Sequence, residues 1–584
     1  MLSSDTIRQT FIDFFSARGH TQIDGASLLA DDGTVLFTSA GMQPLIPYFS
    51  GARHPAGRRL VDWQRCLRTS DIDEVGDEVH LTMFEMLGNW SLGDYGPHES
   101  LAWSLELLTA GFGLDPARIC VTVFAGDDDV PFDQAAHDRW FSLGIAGDRI
   151  FRYGREHNWW GLGRAGSFPG PCGPDSEIFY WVGDGAPASE PALDDRWLEV
   201  WNNVFITYEL TPDGRYLPLA QPNVDTGMGL ERIAALLQGV GSVYETDLLG
   251  PIMSVVRRLA DGEPAPVSAL RIVCDHLRAA TFLIADGTLP SNVEHGYVLR
   301  RLIRRAIRQG RLAGIDGELT RPVGAAVIDR FGDVYPPLAR QRERILDALQ
   351  AEERTFAHAL DRGLRELQRV VAGGDPIDGA TLFWLFETHG LPPEVSVEEL
   401  RRQGADAGDW GPDFEQAQRV HQRRSQASSG QRFAGGLADH SPRAVRLHTA
   451  THLLGGALRR VLGDHVHQRG SNITDERLRF DFSHDGRLSD EQLTEVEEIV
   501  NRAIDDDIPV VRQEMPRDQA DRLGAEHEFG HRYPDVVSVY AIGDLSIEFC
   551  GGPHVPRTGA VGHLRILKQE SSGAGVRRIR ATVR

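Results

Sequence analysis

The sequence predicts an α+β protein that is built from several domains. Its 584 residues exceed the size of one ordinary domain. Strand-like runs alternate with helical patterns in residues 1–240, helical patterns dominate after them, and a mixed pattern returns from residue 441. The hydrophobic content of 41% and the charged content of 25% are normal for globular proteins and exclude global disorder.

The charge and the cysteines restrict the class of protein. The chain carries 84 acidic and 61 basic side chains, and its net charge of −23 argues against non-specific coating of nucleic acid. Lys568 is the only lysine, so we expect arginine side chains to make the contacts with phosphate groups. Five scattered cysteines do not suggest a disulfide framework. Because the sequence shows neither a signal-peptide pattern nor a membrane-length apolar run, we expect a cytoplasmic protein without membrane association.

The first domain is predicted over residues 1–240. The segment from Ser4 to Ser16 has the apolar spacing of an amphipathic helix. Strands are predicted at residues 35–37, 121–124, 177–181 and 198–208.

A helical domain is predicted over residues 241–425 and is separated by a linker, 426–440, from a final mixed domain, 441–584. The helical domain has long apolar periodicities at residues 268–286, 297–313 and 335–372. The final domain begins with a helix at 445–461, followed by strands at 478–482, 536–540 and 546–550.

Two segments of the first domain combine charge with glycine or aromatic residues. Residues 225–233, DTGMGLERI, place an acid and two glycines before an apolar helix with an early arginine, which suits an anion close to the backbone. An ordinary strand–turn–helix explains the same pattern. Residues 64–68, QRCLR, and 83–90, MFEMLGNW, place an arginine and an aromatic on neighbouring strands, which suits a nucleotide. A hairpin with a core face is the alternative.

A basic stripe is predicted on the helix at 297–311. Arg300, Arg304 and Arg308 fall on one face at a spacing of four residues. In an acidic chain, such a stripe suits an RNA backbone. A solvated amphipathic helix is the alternative.

Four residues have the spacing of a metal site, namely the pairs His448/His452 and Cys550/His554. Histidines at i and i+4 lie on one helix face, and sulfur and nitrogen donors suit tetrahedral Zn²⁺. Because the chain has 21 histidines, structural residues with ordinary partners are the alternative. A zinc peptidase is excluded, since the segment HTATH lacks a glutamate after its first histidine.

Longer segments in fixed order are characteristic of one family. They are FTSAGM (37–42), QRCLR (64–68), FEMLGNWSLGDY (84–95), GPCGPDSEIFY (170–180), EVWNNVF (199–205), VDTGMGLERIAALLQ (224–238), PSNVEHGYVLRRLIRRAIR (290–308), HTATHLL (448–454) and CGGPHV (550–555). Over almost the whole chain they resemble the alanyl-tRNA synthetases. The resemblance implies a class II synthetase fold, in which an antiparallel sheet with helices holds ATP and precedes an α-helical tRNA-recognition domain and an α+β editing domain.

The resemblance also implies roles for residues of the first domain. At the matching positions, Arg68 is expected to hold the ATP α-phosphate and the alanine carboxylate, Asp225 to pair with the alanine ammonium, and Arg232 to contact the ATP phosphates. Phe84 is expected to stack on or near adenine, and Mg²⁺ to accompany the nucleotide. The residues expected to shape the small amino-acid pocket are Met42, Trp160, Asn202, Val204 and Gly227.

For the helical domain, the resemblance implies recognition of tRNA(Ala). Asn292 and Glu387 match the residues that read the G·U pair of the acceptor stem, which presents its readable edge in the minor groove. The arginine stripe would grip the RNA backbone. Many relatives have Asp in place of Glu387 and Arg in place of His295, and the extra methylene of Glu387 changes the contact geometry.

For the final domain, the resemblance implies an editing site with one Zn²⁺ on His448, His452, Cys550 and His554. It would hydrolyse Ser-tRNA(Ala) and Gly-tRNA(Ala), since an alanine-sized pocket discriminates weakly against one hydroxyl or one missing methyl group. The residues expected to line its pocket are Gln468 and Asp481. Pro553 replaces a Thr of many relatives and removes an N–H donor.

Departures from the family pattern predict a short form of the enzyme. Against the family pattern, the segment before the editing region is too short for the β-barrel that many relatives carry there, and we expect a form without the C-terminal oligomerisation and tRNA-binding part. We therefore expect a monomer that ligates L-alanine to tRNA(Ala) with ATP and edits its product. An editing deacylase, or a specialised paralogue that is inhibitor-resistant or charges another acceptor, are the alternatives.

Overall fold

The structure is a computed structural model of the protein. It describes residues 2–584 except 31–34, 162–167, 188, 261–264, 374–376, 405–407, 431–440, 475, 527–535 and 574. The chain forms two compact units, Met1–Gly408 and Asp409–Arg584. The α+β class predicted from the sequence is confirmed, because sheets and helices form both units. None of the helices in the described part of the chain is long and apolar enough to cross a membrane.

One sheet of nine strands organises the first unit. In chain order the strands are β1 (Thr21–Gln22), β2 (Arg59–Leu67), β3 (Met83–Ser91), β4 (Ile119–Phe124), β5 (Ile150–Tyr153), β6 (Trp159–Gly161), β7 (Gly170–Trp181), β8 (Trp197–Leu210) and β9 (Tyr216–Gly229). Their order in the sheet is β1-β2-β3-β9-β8-β7-β4-β5, with β6 paired to β7. The five central strands, β2 to β7 in this order, are antiparallel, as the resemblance implies.

The helices of the first unit form two groups, one interleaved with the strands and one that follows them in the sequence. Those interleaved with the strands are α1 (Ser4–Ser16), α2 (Ile46–Phe49), α3 (Pro97–Glu106), α4 (Gln134–Ser142), α5 (Arg155–Asn158) and α6 (Leu230–Gln238). Those that follow are α7 (Gly250–Leu259), α8 (Val267–Ala285), α9 (Glu294–Leu312), α10 (Thr320–Phe331), α11 (Pro336–Arg340), α12 (Arg342–Gly373), α13 (Gly379–His389) and α14 (Pro393–Arg402). The helix predicted over residues 4–16 is confirmed, and it buries Ile7, Phe11 and Phe15.

The described residues of the second unit form four helices and two sheets. The helices are α15 (Gly411–Gly430), α16 (Pro442–Leu462), α17 (Asp490–Asp505) and α18 (Arg517–Arg522). The strands are β10 (Gln468–Ile473), β11 (Leu478–Ser483), β12 (Val510–Pro516), β13 (Val536–Ile542), β14 (Ser546–Phe549), β15 (Leu564–Gly573) and β16 (Val576–Val583). They form an antiparallel sheet in the order β10-β11-β16-β15 and a second one in the order β12-β13-β14.

Three local predictions differ from the structure. The strand predicted at 35–37 is wrong, because only Phe37 forms an isolated bridge, to Leu29. The helix predicted at 335–372 is interrupted at Gln341, whose side chain donates to the carbonyl of Ala285 at the end of α8, at 2.9 Å. Residues 426–430 of the predicted linker belong to α15, and residues 431–440 lie outside the described part of the chain.

A buried ion network joins β3 and α6 to the flanking helices. Arg8 of α1 donates to both carboxylate oxygens of Glu85 on β3, each at 2.7 Å. Arg278 of α8 donates to Glu231 of α6 at 2.7 Å, and Glu231 accepts the backbone N–H of Glu85 at 3.0 Å. Burial opposes ionisation of Glu85, but the Arg8 charge holds the pKa of Glu85 below its ordinary value. The network therefore fixes the two elements that border the site described below.

We predict that Arg278→Met destabilises the first unit by about 3–5 kcal/mol, because it leaves Glu231 buried without its cationic partner. The measurement is urea unfolding followed by tryptophan fluorescence, which reports on this unit because only Trp410 of the 11 tryptophans lies beyond residue 408. Arg321→Met, which breaks the solvent-exposed pairs with Glu343 and Asp347, is the control and leaves the urea midpoint unchanged. Equal midpoints for both variants would contradict the role of the network.

Candidate functional site

A cavity of about 310 Å³ opens on the sheet of the first unit. Its walls come from β3, β7, β8 and β9, from the start of α6, and from the loop between β2 and β3. Eight of the nine residues predicted for this site line it, namely Arg68, Phe84, Trp160, Asn202, Val204, Asp225, Gly227 and Arg232. Met42, the ninth, is buried in the adjoining core cluster with Trp90 and Val204.

Asp225 is a buried carboxylate that faces this cavity. It lies on β9, where its Oδ1 accepts a hydrogen bond from Trp90 Nε1 at 2.7 Å. Burial raises the pKa of Asp225 to about 7, and the Trp90 hydrogen bond opposes this shift. Within the described residues, Asp225 forms no ion pair. The position therefore favours a ligand that brings a positive charge.

Two glycines allow Trp90 to reach Asp225. A Cβ atom at Gly88 would lie 2.4 Å from the Trp90 ring, and one at Gly41 would lie 3.0 Å from it. Gly227 has a similar role beside Met86, since a Cβ atom there would lie 2.7 Å from the sulfur. These glycines are needed for close packing around the carboxylate, and not for an unusual backbone angle.

Asn202 offers a second unsatisfied group in the cavity. Its Oδ1 is buried and accepts no hydrogen bond from the described residues. Asn202 of β8 pairs with Gly227 of β9. Two residues further along β8, Val204 pairs with Asp225. Because side chains alternate along a strand, Asn202 and Val204 share one face of the sheet. The Asn202 oxygen and the Asp225 carboxylate thus both line the cavity beside the apolar side chain of Val204.

Two arginines supply positive charge to the same cavity. Arg68 directly follows β2, donates from Nε to the Ser39 carbonyl at 3.2 Å, and places its guanidinium carbon 4.9 Å from the centre of the Phe84 ring. Arg232 lies in the first turn of α6 and donates to Glu199 at 2.8 Å. An exposed arginine beside an aromatic ring, close to a second arginine at a helix N-terminus, suits a phosphate-bearing aromatic ligand.

The structure adds acidic residues that the sequence analysis did not identify. Glu177 and Glu199 line the cavity, and Asp175 precedes Glu177 by two positions on β7. Burial, with the neighbouring carboxylates, raises the pKa of Glu177 well above its usual range and that of Asp175 to about 8. Like charges this close favour a divalent cation, which would hold them ionised. Asp175 and Glu177 are two residues apart on β7, and this spacing is the sequence pattern that could have revealed them.

The predicted arginine stripe packs against other helices of the first unit. Arg304 donates to Glu352 of α12 at 2.7 Å, and Arg300 approaches the same carboxylate at 3.4 Å. Arg308 is buried and donates to Glu399 of α14. Two acids of the same unit therefore pair with the three arginines, which the sequence could not show because the acids lie 48 to 91 residues away.

The two residues predicted to read a base pair are exposed at the ends of their helices. Asn292 precedes α9 and accepts a hydrogen bond from Arg300. Glu387 lies near the end of α13, and its carboxylate accepts from Thr388 at 2.9 Å. His295, the departure from the family pattern, lies 2.7 Å from the Leu36 carbonyl through Nε2. Their roles in RNA binding remain predictions.

The second unit gathers the four predicted metal ligands. His448 and His452 lie on α16, Cys550 follows β14, and the ligand atoms of these residues and of His554 all lie within 4.8 Å of one another. The Cys550 sulfur lies 3.4 Å from Nε2 of His448 and 3.4 Å from Nε2 of His554. Burial alone would raise the pKa of Cys550, but the hydrogen bonds with His448 and His554 and the charge of His452 lower it to about 3. The cluster has the donor set of a transition-metal centre.

Outer partners orient all three histidine rings through Nδ1. His448 bonds to the Pro553 carbonyl at 2.9 Å, His554 to the Thr449 hydroxyl at 3.2 Å, and His452 to the Glu548 carboxylate. The second nitrogen of each ring is then directed at the cluster. Nε2 of His452 is buried and has no hydrogen-bond partner among the described residues. A metal ion at the centre would satisfy it.

Gln468 and Asp481, predicted to line a pocket here, lie on the neighbouring strands β10 and β11. Asp481 accepts two hydrogen bonds from Arg578 of β16, at 2.7 and 2.9 Å. Gln468 donates to Ser471 at 3.4 Å. In the described residues neither side chain is hydrogen-bonded to the four clustered ligands, so their pocket role remains a prediction.

Comparisons with known proteins identify similar chains. Residues 6–454 match the family model described as tRNA synthetases class II (A), and residues 537–580 match the model of the threonyl and alanyl tRNA synthetase second additional domain. The chain is 48% identical over 600 residues to a protein named alanine–tRNA ligase from Treponema denticola, covering 100% of this chain and 99% of that protein. For the protein of the same name from Treponema pallidum, identity is 47% over 599 residues, with 99% and 98% covered.

A more distant relative is longer than this chain. The alanine–tRNA ligase of Desulforudis audaxviator is 35% identical over 710 aligned residues, which cover 99% of this chain and 79% of that protein. The alignment exceeds the length of the chain because that relative contains segments without a counterpart here.

Proposed function

Because the chain belongs to the alanyl-tRNA synthetase family, we propose that the cavity of its first unit activates alanine and that the His/Cys cluster of its second unit edits mischarged tRNA. The chain is an alanine–tRNA ligase with an editing domain. The observation that carries the assignment of the first site is Asp225, a buried carboxylate that faces a small cavity and has no ion pair among the described residues.

In this proposal the alanine ammonium pairs with Asp225 and donates to the free Oδ1 of Asn202. Val204 and Trp160 border the space for the methyl group, Gly227 keeps that space open, and Met42 supports it from the core. The substrate thus supplies the charge that the buried carboxylate needs, and a larger side chain meets the apolar wall.

The ATP half of the site uses Arg68, Phe84 and Arg232. Phe84 offers a stacking surface for adenine, and the two guanidinium groups neutralise the phosphates. An oxygen of the alanine carboxylate attacks the α-phosphorus, and the bond from that phosphorus to pyrophosphate breaks. The 3′ end of tRNA then attacks the carbonyl carbon and AMP leaves. Both steps depend on positioning and charge neutralisation rather than on a covalent enzyme intermediate.

Mg²⁺ would enter this site with ATP. Glu177 and Glu199 carry the oxygen ligands that Mg²⁺ prefers, and the raised pKa of Glu177 indicates a position that gains from a cation. When bound, the ion neutralises the phosphate charge that develops as pyrophosphate leaves.

The editing site is proposed to hold one Zn²⁺ on His448, His452, Cys550 and His554. The fit rests on the donor set, on the outer partner of each histidine, and on the orphaned Nε2 of His452. When bound, zinc supplies a Lewis acid. Glu548 holds His452, and Arg459 and Ser546 hold Glu548 at 3.1 and 2.9 Å. Gln468 and Asp481 are proposed to border the aminoacyl group of Ser-tRNA(Ala) or Gly-tRNA(Ala).

The proposed RNA partner is tRNA(Ala), with Asn292 and Glu387 at the G·U pair of its acceptor stem. Both residues are exposed, as contact with a duplex requires. Arg300, Arg304 and Arg308 would then act by holding this region together with their acidic partners, in addition to any contact with phosphates. A monomer in the cytoplasm remains our prediction for the state of the enzyme.

We predict that kcat/KM for alanine in ATP–pyrophosphate exchange falls about tenfold from roughly pH 8 to roughly pH 6. The reason is the pKa of Asp225, which is near 7: as the pH falls, the carboxylate that binds the ammonium becomes protonated. Trp90→Phe removes the N–H that favours the carboxylate, so it moves the midpoint to higher pH. A flat profile in this range for the unmodified enzyme would refute the assignment of Asp225.

Charging of an acceptor-stem RNA with alanine is expected to depend on the G·U pair. We predict that Asn292→Ala lowers kcat/KM for this RNA about ten- to a hundredfold and leaves ATP–pyrophosphate exchange unchanged, because Asn292 lies outside the cavity. The same RNA with G·C is the control substrate. Equal charging of both RNAs would keep the ligase and remove the proposed recognition, whereas Ser-tRNA hydrolysis without any charging would favour the editing deacylase.

Zinc content provides the test of the second site. We predict about one zinc per chain in the purified protein and its loss in the double variant Cys550→Ala/His554→Ala, measured by elemental analysis. His563→Ala, at an exposed histidine that pairs with Asp505, is the matched control and retains the metal. Equimolar zinc in the double variant would exclude these ligands.

A further inference from the structure

The loop between β2 and β3, residues 68–82, forms part of the cavity wall, and helices from later in the chain hold it. Arg68, Asp71, His80 and Leu81 of this loop line the cavity. The backbone N–H of Arg68 donates to the Thr82 carbonyl at 2.9 Å, which closes the loop at its base. The position of the loop therefore sets the position of Arg68 and of one wall of the ATP region.

Arg305 of α9 is the central contact of this loop with the helices. Its guanidinium donates to the carbonyl of Ile72, in the middle of the loop. It also lies 3.0 Å from Nε2 of His276 on α8 and donates to Glu398 of α14 at 3.1 Å. Arg305 and Ile72 are both buried. A charge-assisted hydrogen bond to a buried carbonyl restrains the backbone more strongly than a solvated contact does.

Further contacts hold the same loop from the same two helices. On α9, one turn before Arg305, Arg301 pairs with Asp73 at 3.1 Å. On α8, Asp275 accepts the backbone N–H of Thr82 at 2.9 Å, and Arg271 donates to the Gly76 carbonyl at 3.2 Å. The helices thus hold the loop in addition to its own hydrogen bonds, such as those from the backbone N–H groups of Val79 and His80 to Asp77.

Helix α9 also carries the arginines assigned to RNA binding, and Asn292 lies two residues before its first residue. Asn292 stands at its start and is hydrogen-bonded to Arg300, which is one residue before Arg301. A continuous helix therefore connects the proposed contact with the acceptor stem to the two arginines that hold the ATP-side loop. A rigid helix that follows the RNA contact at its start and holds the loop near its middle is the kind of element that transmits a shift from one site to another.

We propose that Arg305 is a positioning residue that sets the β2–β3 loop for ATP and couples ATP binding to the acceptor RNA on α9. The proposal rests on the proposed function, because it assigns ATP to this cavity and RNA to α9. In the enzyme, RNA bound at the start of α9 stabilises the arrangement in which Arg305 and Arg301 hold the loop. ATP binding to the ordered loop then becomes tighter, and the coupling is reciprocal.

The test is steady-state kinetics of the full chain carrying Arg305→Met. In ATP–pyrophosphate exchange without RNA, we expect KM for ATP to rise about tenfold or more, while KM for alanine stays within about twofold. Arg305→Lys keeps a donor for the Ile72 carbonyl and restores most of the ATP affinity. Arg321→Met on α10, which removes pairs with two exposed acids, is the control and changes neither constant.

The coupling has its own measurement. With the unmodified enzyme, a non-chargeable acceptor-stem RNA that lacks its 3′-terminal hydroxyl groups is expected to lower KM for ATP, and Arg305→Met abolishes this effect. Asp73→Asn, which changes an exposed loop residue without leaving a buried charge, weakens the coupling while the fold is kept. Equal rises of KM for ATP and for alanine, with a lower melting temperature, would reduce Arg305 to a structural residue and overturn the proposal.

Failure of the proposed function gives a different result. If the unmodified enzyme showed no alanine-dependent exchange, the activity assigned to the cavity would be wrong and no variant would be compared. If it showed normal exchange that RNA did not affect, the coupling alone would be refuted.

Discussion

Four buried charges fix the elements that carry the activation site. Arg8 and Arg278 lie on α1 and α8, which are far apart in the sequence, and they hold Glu85 on β3 and Glu231 on α6. Phe84 precedes Glu85, and Arg232 follows Glu231, so each glutamate of the network is the chain neighbour of a residue that lines the cavity. Because buried ion pairs tolerate little displacement, the aromatic wall and the phosphate-binding arginine are held in register with each other.

Each of the two units contains buried polar groups that a ligand could partner, and the groups differ between the units. In the first unit, a buried carboxylate at Asp225 and a free acceptor at Asn202 favour a small ligand with an ammonium group. In the second unit, the orphaned nitrogen of His452 and the acidic thiol of Cys550 favour a metal ion. Among the described residues, Asn202 Oδ1 and His452 Nε2 have no hydrogen-bond partner and Asp225 has no ion pair, a cost in stability that is expected where a ligand supplies the partner.

The sequence predicted most of the residues that meet in the cavity of the first unit, because they lie in segments whose order and amino-acid sequence are specific. Asp225, Arg68 and Trp160 are brought to one cavity as expected. It did not predict that Arg304 and Arg308 pair with Glu352 and Glu399, because ion pairing between distant helices leaves no local pattern. The acidic pair Glu177 and Glu199 was missed for a similar reason: the two residues meet only through the pairing of β7 and β8. The strand predicted at residues 35–37 failed because three apolar residues do not distinguish a strand from an extended loop.

Charging of tRNA(Ala) and removal of the wrong amino acid are both assigned to this one chain. They are tested together by the amount of Ser-tRNA(Ala) that accumulates when the enzyme is supplied with serine, ATP and tRNA(Ala). We expect the unmodified enzyme to accumulate almost none, and the variant Cys550→Ala/His554→Ala to accumulate it while charging alanine at the normal rate. Accumulation by neither protein, with alanine charging intact in both, would contradict the assignment of editing to the His/Cys cluster.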